Sequence, residues 1–149
     1  MFDQFDEFAK NEEVKKTAAT EFNRLRQFMA KADGKRYNDQ FFNWTDRPQQ
    51  WGETFLQLGE VAAQFFDVGK RDISKKGTYS VRFGQRPLAP HEQFVDEHIY
   101  PEVWELTADV HEGEFVWLFD GKRILPIDLP DAIANKLAEV YDSYEEAVS

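Results

Sequence analysis

The chain has 149 residues, a formal net charge of −10, 42% apolar residues and no cysteine. That length suits a single domain spanning 1–149 with a real core, and the missing thiol excludes disulfides, thiolate metal sites, iron–sulfur clusters and a cysteine nucleophile, which fits a reducing cytoplasm. The N-terminus is charged, with no signal-like apolar run, and no stretch approaches the ~18 apolar residues of a membrane span, so the expected location is cytoplasmic.

Phe2, Phe5 and Phe8 recur at a spacing that suits a short amphipathic helix. Asn11, followed by Glu12 and Glu13, reads as the cap of a second helix. Its apolar stripe is Val14, Ala18, Phe22, Leu25, Phe28 and Ala32, and Gly34 ends it. Residues 35–48 show no single period, and Asp46-Arg47-Pro48 resembles a helix start. Trp51, Phe55, Leu58, Ala62 and Phe65 then step at helical spacing, which predicts a helix over 49–66. Gly52 and Gly59 lie inside it, and a hairpin turn at Gly59-Glu60 is the competing reading.

Residues 69–77 form a polar loop bounded by glycines. Tyr79, Val81 and Phe83 alternate with Thr78, Ser80 and Arg82, which predicts a strand over 78–83. A short helix is expected from Pro90 to Ile99. From Val103 onward the chain alternates again, and Glu112-Gly113 and Asp120-Gly121 serve as two-residue turns. Those turns oppose Val110 to Phe115, Ala108 to Trp117, Leu106 to Phe119 and Trp117 to Ile124, all on one face. A slip of one residue would destroy that agreement. A final helix opens at Asp128-Leu129-Pro130 and buries Ile133, Leu137, Val140 or Tyr141, Tyr144 and Val148. The expected fold is therefore α+β: a three-stranded antiparallel meander (103–127) plus a strand at 78–83, with helices packed on one face.

Catalytic patterns are sparse. His91 and His98 stand seven apart, too far to bind one metal as helical neighbours. Phe94 occupies the place of the first histidine in an inverted zinc-protease pattern. Asp109, His111 and Glu114 could share a sheet face, but no nucleophile accompanies them. Phosphate-loop, dinucleotide-binding and hydrolase-elbow patterns are all missing, so no metal, cofactor or catalytic residue is assigned, and the reading leans away from an enzyme.

Charge is the more informative signal. Residues 1–86 carry 15 basic and 13 acidic side chains, whereas 87–149 carry 3 basic and 15 acidic. Lys70, Arg71, Lys75, Lys76, Arg82 and Arg86 stand against Asp72 alone and form a candidate anion-binding segment, with Tyr79 and Phe83 available for stacking. On the outer face of the meander, Val116 and Leu118 with Glu105, Asp109 and Arg123 form a half-apolar, half-acidic candidate partner-binding surface. These features point to a small interaction protein of inhibitor, immunity or adaptor type, whose acidic half docks on a protein with a basic surface. Two other readings compete. One is an enzyme or ligand-binding domain with a site between the 69–77 loop and the acidic half. The other is nucleic-acid binding through 70–86, which the overall negative charge disfavours.

Overall fold

A computed structural model describes residues 2–85 and 102–148, with side chains described for 11–85 and 102–147. Phe2–Ala30 is one continuous helix, α1. Asn11 therefore lies inside a helix rather than capping one. A single Asn costs a helix under ~1 kcal/mol, less than breaking the ladder amid good helix formers. The buried stripe is Ala18, Phe22, Leu25 and Met29, whereas Phe28 is 45% exposed. At 100° per residue Met29 continues the axis of that stripe and Phe28 falls about 80° off it.

Eight strands follow: β1 (Arg36–Tyr37), β2 (Gln40–Asp46), β3 (Thr54–Leu58), β4 (Val61–Asp67), β5 (Thr78–Gln85), β6 (Glu102–His111), β7 (Glu114–Phe119) and β8 (Lys122–Ile124). A second helix, α2 (Leu129–Val148), closes the described chain. The strands form one antiparallel sheet in chain order. The expected three-stranded meander is thus the last part of an eight-stranded one.

The helix expected over 49–66 is instead the β3–β4 hairpin, with Leu58 opposite Val61 and Gly59-Glu60 as its turn. Strand β4 is buried on both faces from Val61 to Phe66, so it shows no alternation, and a continuous apolar run cannot be told from a buried helix by period. Gly59 adopts φ +60, and a Cβ there would lie 2.7 Å from Cε2 of Tyr141, so α2 packs directly on this turn. The unassigned 35–48 stretch supplies β1 and β2, which turn at Asn38 (φ 54). Pro48 falls in the β2–β3 connection. The helix expected at Pro90–Ile99 lies outside the described residues.

The expected register holds at Val110–Phe115, Ala108–Trp117 and Trp117–Ile124, and the β6–β7 pairing ends at Thr107–Leu118. Glu112 (φ 52), Gly113 (φ 80), Asp120 (φ 52) and Gly121 (φ 70) take the left-handed conformations that a type I′ turn requires. One sheet face carries Leu56, Leu58, Val61, Ala63, Phe65, Tyr79, Val81, Phe83, Leu106 and Trp117. It packs with the α1 stripe and with Leu129, Ile133, Leu137 and Tyr141 of α2 in a single core. Phe22 stacks on Tyr79 at 4.3 Å, and Tyr79 meets Trp117 edge-on at 5.7 Å. Polar ties fix the middle of α2. Tyr37 donates to Asp142 at 2.6 Å, and Lys136 reaches Glu102 at 2.6 Å. Among the described residues, no helix is long and apolar enough to cross a membrane.

Candidate functional site

Alternate connections of an up-and-down sheet share an end. The β2–β3 connection (47–53), the β4–β5 connection (68–77) and the Glu112-Gly113 turn therefore lie together at one end of this sheet. α1 passes over that end: the stem of Lys15 lies against Gly77, where a Cβ would meet Cγ at 2.9 Å. Beside the crossing, Glu13, Val14 and Thr17 of α1 and Val110, Gly113 and Phe115 of the β6–β7 hairpin line a groove of about 490 Å3.

The groove exists because the hairpin outruns its neighbours. Strand β5 begins at Thr78, opposite Thr107, while β6 continues to His111. Strand β8 pairs only with Trp117–Phe119, so Glu114–Val116 have one strand neighbour, β6. Val110 and Phe115 sit on the core face, yet Val110 is 48% exposed and Phe115 is only half-buried. The floor is apolar, and Glu13 is the one charged side chain among the described residues that line it. Glu112 lies exposed in the adjoining turn, and Glu114 points to the opposite sheet face from Phe115. No basic residue lines the groove among the described residues. His111 Nε2 stands 3.9 Å from Glu112.

The candidate partner-binding residues are dispersed. Val116 is 3% exposed and offers no contact area. Asp109 accepts from Arg123 Nε at 3.1 Å, and the Val110 backbone N–H followed by Arg123 holds its carboxyl below the usual range. Leu118 is half-buried opposite Thr107 and Arg123, and Glu105 is exposed opposite Ser80. Asp109, His111 and Glu114 do not converge. Asp109 turns to Arg123 and His111 to Glu112. Among the described residues, no cluster of three or more His, Asp or Glu could hold a metal ion. His91 and His98 lie outside the described residues.

The basic segment divides. Lys70, Arg71, Lys75 and Lys76 are exposed around two 3-10 turns, Val68–Lys70 and Ile73–Lys75, the second capped by Asp72, which accepts from Ser74 N at 3.0 Å. Lys75 and Lys76 make no ion pair among the described residues. Arg71 lies 4.5 Å over Trp51, Trp51 packs on Phe66 at 5.0 Å, and Arg82 lies 4.6 Å over Phe66 from the other strand. Tyr79 and Phe83, expected to stack bases, are buried in the core on the opposite face, at 4% and 0% exposure. Burial, with Asp67 second, pushes the Tyr79 phenol up to about 12. Arg86 lies outside the described residues. Arg82 faces Val103, six residues from Asp109 along β6 or roughly 20 Å, so the two do not share a site.

Sequence reasoning assigned Val14, Val110 and Phe115 to the core, which is right for their face and wrong for their cover. Their period gives the face. How far α1 and β8 reach along the hairpin is a tertiary fact with no local signal. No family model, no curated protein and no solved structure matches the chain.

Proposed function

We propose that the chain is a protein-interaction module whose groove between α1 and the β6–β7 hairpin takes a basic, amphipathic segment of a partner protein. The observation that carries this reading is an apolar floor left open beside Glu13, the one charged side chain among the described residues that line it. Val14, Val110 and Phe115 supply area for apolar anchors, and Glu13 in the lining, with Glu112 exposed in the adjoining turn, supplies charge that steers lysine- or arginine-rich chain. A volume of about 490 Å3 suits a few side chains. Lys75 and Lys76 at the same sheet end repel the cationic part of such a segment, which sets its direction.

Two other modes have less support. Strand addition would use β1 or β8, the sheet edges, which are 2 and 3 residues long. A second apolar dent of about 190 Å3 is lined by Glu21, Arg24, Leu25, Phe28, Pro126 and Ile127, and its two charges pair with each other at 3.2 Å. It has no charge preference to offer. Nucleic-acid binding through 70–86 loses the two rings it required, because both are in the core.

The test is amide-shift mapping by NMR with a labelled full chain and a short synthetic peptide of alternating lysine pairs and leucines. Perturbations are expected at Val14, Thr17, Val110, Gly113 and Phe115. Perturbations confined to the outer acids of α2, such as Asp131 and Glu139, would reduce the interaction to diffuse charge attraction and overturn the proposal.

A further inference from the structure

The sheet end that carries the groove also carries a segment of the chemistry the groove would take. In the β4–β5 connection Lys70, Arg71, Lys75 and Lys76 stand against Asp72, and all five are exposed. At its tip is Ile73, 87% exposed, the most exposed large apolar side chain among the described residues. A 3-10 turn sets residues three apart on one side, so Ile73 and Lys76 project together. The segment is basic and amphipathic.

It is also pre-formed. Asp72 accepts from Ser74 Oγ at 2.6 Å and from Ser74 N at 3.0 Å, bonds that hold its carboxyl below the usual range and commit its charge to the turn. Gly69 packs so closely on Lys76 that a Cβ would lie 2.7 Å from its Cα, and the two 3-10 turns close into one knob. A segment already ordered loses less entropy on docking. The knob does not fill its own groove. Ile73 is exposed, and α1 stands between the two, with Lys15 against Gly77 at the base of the knob and Val14 in the groove wall.

We propose that the groove's partner is a second copy of this chain: Ile73 of each molecule anchors on Val110 and Phe115 of the other, and Lys76 meets Glu13. This rests on the reading of the groove as a site for a basic, amphipathic segment. A two-fold axis between two facing sheet ends, midway between knob and groove, brings each knob over the other molecule's groove, so the assembly closes at two chains. The net charge of −10 on each chain opposes the approach at low salt. At ~0.15 M salt, exposed charges farther apart than about 8 Å are screened, and the close pairs are screened less. The contact is small, so the dimer exchanges, with a dissociation constant of roughly 10–100 µM.

Sedimentation equilibrium of the full chain, from about 5 to about 500 µM in ~0.15 M salt, tests this. A monomer–dimer equilibrium with no larger species is expected, weakened about tenfold by Ile73→Ser and unchanged by Ile127→Ser, a control at another exposed apolar side chain. Glu13→Lys and Lys76→Glu should each weaken it severalfold alone, and an equimolar mixture of the two should restore it, because each substituted charge then faces the other. A chain that stays monomeric throughout, equal losses in Ile73→Ser and Ile127→Ser, or a mixture no tighter than either variant alone would each overturn the proposal. The groove reading is judged separately: if the lysine–leucine peptide perturbs Val110 and Phe115 in a chain that stays monomeric, that reading stands and only the second copy is excluded.

Discussion

The groove and a small cleft lined by Arg26, Trp51, Phe66, Asp67 and Lys70 occupy one end of one sheet and use charge in opposite ways. In the cleft, charged groups are tied to the protein itself: Arg26 to Asp46 and Asn23, Arg71 to Trp51, and Asp46 also to Thr54. In the groove the apolar floor is half-open, and Glu13 makes no ion pair among the described residues. Counting acids in the second half of the chain therefore says less than asking which of them are committed. Asp109 and Glu102 are bound to Arg123 and Lys136, whereas Glu114, Asp120 and Asp131 face solvent without an ion-pair partner among the described residues.

That contrast can be broken by substitution. The largest effect is expected at Phe66, which is 2% exposed and carries Trp51 on one side and Arg82 on the other. Phe66→Ala should cost ~3–5 kcal/mol in urea unfolding, while Val110→Ser in the groove should cost ~1 kcal/mol or less. Equal costs would mean that the groove floor is core. Next comes Arg26→Met, which strands the Asp46 carboxylate and should cost ~1–2 kcal/mol, read from the same unfolding curves.

Asp67 sharpens the contrast through pH. Burial pushes its carboxyl up, and Lys70 and the backbone N–H groups of Gly69 and Lys70 only partly offset this. The native state then holds the proton more tightly than the unfolded chain. This group's contribution to stability is greatest below the unfolded carboxylate range of about 4 and declines as pH rises through the raised value. Glu102 has the opposite sign. Burial raises it, but hydrogen bonds from Lys136 and Trp104 outweigh that and hold it low, so its contribution is lost as pH falls. Urea midpoints of Asp67→Asn minus those of the wild type should increase from pH 4 to 7, and a flat difference would remove Asp67 from the buried cleft. The smallest effect is expected for Glu114→Lys, which should leave stability within about 0.5 kcal/mol by the same assay.

The sequence was most legible where turn chemistry and alternation agreed. Glu112-Gly113 and Asp120-Gly121 pinned the register of Ala108, Trp117 and Ile124, and the Ile133, Leu137 and Tyr141 stripe defined α2. It was least legible at β4, where Val61–Phe66 is buried on both faces and loses its period. The same lack of local signal hid the cleft, because Arg26 belongs to α1, Trp51 to a connection and Lys70 to a 3-10 turn. Nothing in their spacing says that a β3–β4 hairpin brings them together. The basic segment was recognised as a charge run, but the alternation of β5 sends Tyr79 and Phe83 into the core and Arg82 to the other side.

The central claim is that the open apolar floor and the Glu13 carboxylate act together on a basic partner. The most direct measurement is the affinity of the lysine–leucine peptide for the wild type, Val110→Ser, Glu13→Lys and Glu139→Gln. The account predicts about a tenfold loss for each of the two groove variants and no change for Glu139→Gln on the outside of α2. Equal affinity in the wild type and Val110→Ser would contradict it.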